Sequence, residues 1–181
     1  MKYSHHRVIA LRASVLAATL ALLPLSVAQA EESVLNMQKT VPFKAGITVS
    51  PEVKMECELP LKVAEYAKSA IEKDVDKINM VDAPAKDAAG RTLIMEIVGI
   101  DASGGGAYTG KKGMSIEGSL WEKGKQIGSF QATRYSGGRR STFNPYPGTC
   151  KILRYDAEAL GKDVAKWLKK PSMEARLGEA K

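Results

Sequence analysis

The sequence predicts an α+β domain, a two-layer sandwich in which a mostly antiparallel sheet of four to five strands carries two helices on one face. Two segments with apolar residues at helical spacing, 59–78 and 150–170, lie far apart in the chain. Between them, three runs of strand length follow in close succession. The resulting order of strand, helix, three or four strands and helix separates the helices from a meander instead of alternating the two kinds of element.

Residues 1–30 read as a secretory signal peptide. Lys2, Arg7 and Arg12 precede the apolar run VLAATLALLPLSVA, which is short for a bilayer span and broken by Pro24, and AQA ending at Ala30 suits a small-x-small cleavage site. Glu31 and Glu32 follow at once, which argues against a retained membrane anchor. No cysteine follows the cleavage site, so the lipid-attachment signal of a lipoprotein is missing there. The expected mature chain begins near Glu31 and lies in the periplasm or is secreted.

Residues 31–46 carry Val34, Leu35, Val41 and Phe43 without a clear period and read as an extended arm with at most a short edge strand. ITVSPEV, from Ile47, reads as a strand that Pro51 confines to an edge or an end. The first helix, within 59–78, sets Val63, Ala64, Ala67, Ala70, Ile71 and Val75 on one stripe, with Pro60 in its first turn. NMVD is a candidate short strand and APAKDAAG a loop. The meander follows as TLIMEIVGI from Thr92, MSIEGSLWE from Met114 and QIGSFQATRY from Gln126, the last two joined by the hairpin EKGK. The second helix aligns Leu153, Ala157, Leu160, Val164, Trp167 and Leu168, with Thr149 as its expected N-cap and Pro171 beyond its end. A single domain over 47–170 is expected, with 171–181 as a flexible tail.

Composition excludes several chemistries. Taking the leader's three basic residues from 27 Lys and Arg leaves 24 against 20 Asp and Glu, a mature charge of +4. That excess is too small and too dispersed for a nucleic-acid surface. Both histidines, His5 and His6, leave with the signal, so triads and most zinc, copper and iron sites lose their usual imidazole. No metal or cofactor is expected. Carboxylate catalysis needs no histidine. Its candidates are Glu56, Glu58, Asp156 and Glu158, but nothing in the sequence opposes two of them across a cleft, and Glu56 and Glu58 suit a helix N-terminus. No enzyme activity is expected.

Cys57 and Cys150 are the only cysteines, and in an exported chain they are expected to form a disulfide tying the two helix starts together. Closing a loop of roughly ninety residues contributes about 4 to 5 kcal/mol in the chain-entropy model.

Two glycine-rich loops carry the candidate binding residues. GGGAYTGKKGMS approaches a phosphate-binding loop, but Lys112 stands where the magnesium-ligating hydroxyl belongs and a strand follows instead of a helix. It reads as a glycine hairpin. With SGGRRSTFNPYPGTC it supplies Lys111, Lys112, Arg139 and Arg140 beside Tyr108, Phe143 and Tyr146, a set suited to an acidic glycan, a phosphorylated headgroup or a protein hot spot. The alternative is a solvated loop. On the Thr92 strand both sides are apolar apart from Glu96, so Ile94, Val98 and Ile100 form a candidate partner face, to be covered by the N-terminal arm or by another protein.

The stretch from TLIMEIVGI through RYSGG resembles a family of bacterial exported domains and lipoproteins of unknown function. In that family a strand leads through a Gly-rich turn to a tGk-type hairpin and a closing helix. Gly104 to Gly106, Gly124, Lys125, Ile127 and Phe130 carry the match. The architecture is similar to the N-terminal domain of the Tol-Pal propeller protein and to curli-secretion lipoproteins. The resemblance implies a scaffolding or binding role in the cell envelope. The expectation is thus a non-enzymatic accessory or binding protein with an envelope protein or acidic glycan as partner and no nucleic acid. The alternatives are an anion- or glycan-binding module and a small carboxylate-dependent glycan-active enzyme.

Overall fold

The computed structural model describes residues 34–103, 111–136 and 148–180. Its elements are β1 (Val34–Gln38), α1 (Pro51–Glu56), α2 (Leu59–Ile71), β2 (Lys77–Val81), β3 (Arg91–Asp101), β4 (Lys112–Glu122), β5 (Lys125–Ser136), α3 (Thr149–Leu168) and β6 (Ala175–Gly178). The strands form one six-stranded sheet in the order β2-β1-β3-β4-β5-β6. The α+β sandwich is as the sequence predicts, with an antiparallel centre of β3, β4 and β5.

The flanks differ from expectation because they are parallel. β1 pairs in parallel with both β2 and β3, and β6 pairs in parallel with β5. Parallel neighbours need a crossover, and the two main helices supply it: α2 returns the chain from β1 to β2, and α3 returns it from β5 to β6. The expected extended arm therefore contains a strand inside the sheet. The expected flexible tail contains β6, held by Glu179 N donating to Thr133 O at 2.8 Å and Ser129 N donating to Ser172 O at 3.1 Å.

β1 alternates strictly, with Leu35 and Met37 buried in the core and Asn36 and Gln38 buried as polar residues. Both are satisfied, as buried amides require. Asn36 Nδ2 donates to Ala89 O at 2.9 Å and its Oδ1 accepts from Asn79, while Gln38 Oε1 takes the Met95 N–H at 2.7 Å. Pairing beside β3 resumes at Phe43, where Ile97 N donates to Pro42 O and Lys44 N donates to Ile97 O.

ITVSPEV forms no strand. Ser50 Oγ accepts from Val53 N at 3.3 Å as the N-cap of α1, and Pro51 supplies a first-turn residue that needs no hydrogen-bond acceptor. At α3 the N-cap is Gly148 instead of Thr149.

The core lies between the sheet and the helix pair. Val63, Ala64, Ala67 and Ile71 of α2 and Leu153, Ala157, Leu160 and Val164 of α3 are buried against Leu93, Met95, Ile97, Met114, Ile116 and Leu120. Each large side chain so buried contributes about 1.5 to 3 kcal/mol. The two helices approach closely at Gly161, where a Cβ would stand 2.8 Å from the Tyr66 carbonyl. Phe130 meets Trp167 edge-on at 4.8 Å between ring centroids, with Gly118 and Gly128 leaving room for the two rings. Among the described residues no helix is long and apolar enough to cross a membrane.

Candidate functional site

The site grows from the topology. Asp101 at the end of β3 pairs with Gly113, and Lys112 at the start of β4 pairs with Ser136 at the end of β5. Both glycine-rich loops therefore leave the sheet from neighbouring positions at one end. The start of α3 reaches this end too, and Cys150 in its first turn is bonded to Cys57, which closes α1 just before α2 begins, with an S–S distance of 2.00 Å and Cα atoms 4.8 Å apart. The chain passes from α1 to α2 through Glu58, whose φ of 52° is left-handed.

Beside the disulfide lies a cavity of about 660 Å³ lined by Ser50, Val53, Cys57, Cys150, Lys151 and Arg154, with Glu52 and Glu56 on its α1 side. Its charge is mixed. Arg154 Nη2 meets Glu58 at 3.4 Å, while its buried Nε has no hydrogen-bond partner among the described residues. Glu52 has its carboxyl held below the ordinary range by a backbone hydrogen bond and by Ser50. At the base of the first loop, Asp101 accepts from Ser103 Oγ at 2.7 Å and from Ser103 N at 3.3 Å. Those bonds, with the charge of Lys112, also lower its carboxyl.

Of the predicted loop residues, Tyr108, Arg139, Arg140, Phe143 and Tyr146 lie outside the described residues. Lys111 is exposed at the foot of its loop. Lys112, expected on a binding surface, is instead fully buried and donates to Ser103 O at 2.6 Å, because its place on β4 turns it to the helix side of the sheet with Met114 and Ile116. It secures the loop's foot instead of presenting a charge.

The candidate partner face is also revised. A register shift between Ile97 and Gly99 breaks the alternation of β3, so Ile100 stands opposite Met114 and packs against the core instead of sharing a face with Ile94. Ile94 is opposite Ser119, and that face also carries Glu96, Ser115, Glu117, Gln131 and Thr133, with the aromatic rings of Trp121 and Tyr135 towards its two ends. Neighbouring strands thus make it a solvated face of an antiparallel sheet. The N-terminal arm does not cover this face but joins the sheet, and Lys44 reaches over to pair with Glu117. Glu117 raises the pKa of the Lys44 ammonium, first through their hydrogen bond. A shallow groove of about 310 Å³ runs over Gly118 between Glu96 and Gln131.

The carboxylates are placed apart. Glu56 lines the cavity on the same short helix as Glu52, Glu58 pairs with Arg154, and Glu158 pairs with Lys162 at 2.6 Å. Asp156 is fully buried. Among the described residues no group of three or more His, Cys, Asp or Glu side chains converges as metal ligands would.

Sequence reading missed one cluster. Arg134 of β5 holds Asp163 of α3 in a two-pronged ion pair, Nε to Oδ2 and Nη2 to Oδ1, each at 2.7 Å, close to buried Asp156. The available signal was Asp156 itself, a charge set within the apolar stripe of Leu153, Ala157 and Leu160.

No family model matches the chain, and no curated protein matches it in sequence. Among solved structures the chain is similar to PelC of Paraburkholderia phytofirmans, solved as a dodecamer, with 10% identity, a TM-score of 0.46, and 74% of this chain and 89% of that one covered. It is similar to a minor lipoprotein from Acinetobacter baumannii, with 10% identity, a TM-score of 0.43, and 78% and 95% covered. A DUF330 protein from Xanthomonas campestris shows 9% identity, a TM-score of 0.44, and 76% and 83% covered. At these values function is read from this chain's own residues.

Proposed function

We propose that this protein is a non-enzymatic accessory or binding protein of the bacterial cell envelope, exported to the periplasm, which engages a protein partner through the disulfide-bonded end of its sheet. The observation that carries this reading is convergence: the feet of both glycine-rich loops, the start of α3 and the Cys57–Cys150 bridge meet at one end of the domain. A covalent tie there holds loop ends in register, which lowers the ordering cost of binding. The cavity's mixture of Glu52 and Glu56 with Lys151 and Arg154 suits a polypeptide carrying both signs of charge better than a uniformly acidic glycan. That Glu52 and Glu56 share one helix, instead of facing each other across the cavity as a carboxylate pair would, supports the non-enzymatic reading.

A photo-crosslinking residue at Lys111, at Lys151 and, as a contrast, at Ser119 on the solvated sheet face tests the reading in cells. Capture of one discrete envelope protein at Lys111 and Lys151 but not at Ser119 is expected. Capture confined to Ser119, or at none of the three, overturns it. Turnover of an envelope glycan by the purified protein overturns its non-enzymatic half.

A further inference from the structure

Asp156 is fully buried, and among the described residues neither of its carboxylate oxygens has a hydrogen-bond partner. Charged and polar groups surround it. From β5, Arg134 lies on the helix side of the sheet and directs Nε and Nη2 to Asp163. Ser136, on the same strand, offers the hydroxyl that favours the ionised form of Asp156. From β4, Lys112 stands opposite Ser136 and turns its ammonium to Ser103 O. From the chain just past β6, Glu179 accepts from Tyr135 N at 3.0 Å and its own N–H donates to Thr133 O. Burial opposes the ionised form of Asp156 most, the Ser136 hydroxyl favours it next, Glu179 opposes it and Arg134 favours it.

β6 is seated on this same cluster. Gly178 has a left-handed φ of 65°, and a Cβ there would stand 2.5 Å from Thr133 O, 2.8 Å from Arg134 Nε and 3.1 Å from Asp163 Oδ2. The end of β6 thus rests directly on the Arg134–Asp163 pair. The strand's other end is anchored away from the charges: Ser172 O accepts from Ser129 N and from Trp167 Nε1, and Glu174 N donates to Ser129 Oγ at 2.8 Å.

We propose that β6 is a proton-controlled strap: with Asp156 protonated, Arg134 stays on Asp163 and Glu179 stays on Tyr135, and ionisation of Asp156 lifts the Gly178–Glu179 end from β5. An ionised Asp156 has Arg134 as the cation beside it, so it competes with Asp163 for the guanidinium and disturbs the surface on which Gly178 sits. It also repels Glu179. The anchored end confines the opening to the last residues of β6, which uncovers β5 at Ala132 and Thr133. Burial pushes the Asp156 carboxyl up to about 7, so the change falls in the neutral range.

Amide hydrogen exchange by NMR, corrected for intrinsic exchange rates, tests this on the whole protein at pH 6 and pH 8. Protection at Glu179 and Tyr135 is expected to fall about tenfold between the two, following the linkage of one proton per pH unit. Glu174, at the anchored end, is expected to keep its protection. Asp156→Asn is expected to abolish the difference between the two pH values. Equal protection of Glu179 at both values, or a fall that persists in Asp156→Asn, overturns the strap. If that variant does not fold, the wild-type protein decides alone: the Asp156 carboxyl resonance and the Glu179 amide must titrate with one midpoint, and separate midpoints overturn the proposal.

Discussion

Replacing Gly161 with alanine tests the helix packing that positions the disulfide-bonded end. The added Cβ would stand 2.8 Å from the Tyr66 carbonyl carbon and oxygen and 2.9 Å from Ala67 N. These are backbone atoms in the middle of α2, so no side chain can swing aside. Ordinary contact begins at 3.4 Å, and α2 and α3 must separate locally by about 0.6 Å to reach it. Overpacking of this kind costs about 3 kcal/mol, and alanine's helix preference returns about 1, for a net loss of about 2 kcal/mol. In a domain of this size that lowers Tm by about 4 to 8 °C. Urea and thermal unfolding of Gly161→Ala measure the loss. Gly99→Ala serves as the control, because its Cβ would meet Ser115 Cβ at an ordinary 3.6 Å and should change stability by less than about 1 kcal/mol. A Gly161→Ala protein as stable as the wild type would refute the close approach of the two helices.

Reducing the Cys57–Cys150 bridge, or replacing both cysteines with alanine, should lower unfolding stability by about 4 to 5 kcal/mol in the chain-entropy model for a separation of 93 residues, read from urea midpoints with and without reductant. Gln38→Leu leaves the Met95 N–H without its acceptor and should cost about 1 to 3 kcal/mol in the same assay. The folded-state pKa of Asp156 lies at about 7, above the ordinary 3.8, so the folded protein holds a proton that the unfolded chain has released. Stability should therefore fall as pH rises from about 4 to 7, by up to about 4 kcal/mol, and Asp156→Asn should remove that decline in urea titrations at pH 5 and pH 8.

The elements read correctly from sequence are those whose periodicity extends over many residues. α3 spans 20 residues with an apolar stripe interrupted only by Asp156 and Gly161, and β3, β4 and β5 span 11 or 12 each, so their patterns outweigh local exceptions. β1 and β6 span 5 and 4 residues, too few for a period to emerge. Their place in the sheet is decided by crossovers, which are non-local. ITVSPEV misled because its β-branched residues precede a Ser-Pro pair whose capping geometry prevails locally. The Ile94, Val98 and Ile100 face was read by strict alternation, and a single register shift after Ile97 sends Ile100 to the opposite side. Lys112 illustrates the same limit, because its type suggested exposure while its register on β4 placed it in the interior. The cavity beside the disulfide could not be read at all, since its lining comes from α1, α3 and the end of β3, brought together only by the fold.

The two crossovers also shape the charge at the end of the domain proposed to engage a partner. The Cys57–Cys150 bond holds the starts of α2 and α3 side by side, so both helices direct the positive ends of their dipoles to the disulfide-bonded end of the domain. Neither helix has an acidic residue in its first turn, and Lys151 adds further positive charge at α3. Such an arrangement repels itself, and the chain offsets it twice: covalently through Cys57–Cys150, and electrostatically through Glu52, Glu56 and Glu58. Those acids remain at the surface beside the cavity instead of filling it, so the cancellation is spatially uneven. A partner that places acidic groups over α3 and basic groups over α1 would match that pattern, and one of a single charge would meet repulsion on one side. The alternation of sign across the cavity is therefore the feature by which this surface would select its partner.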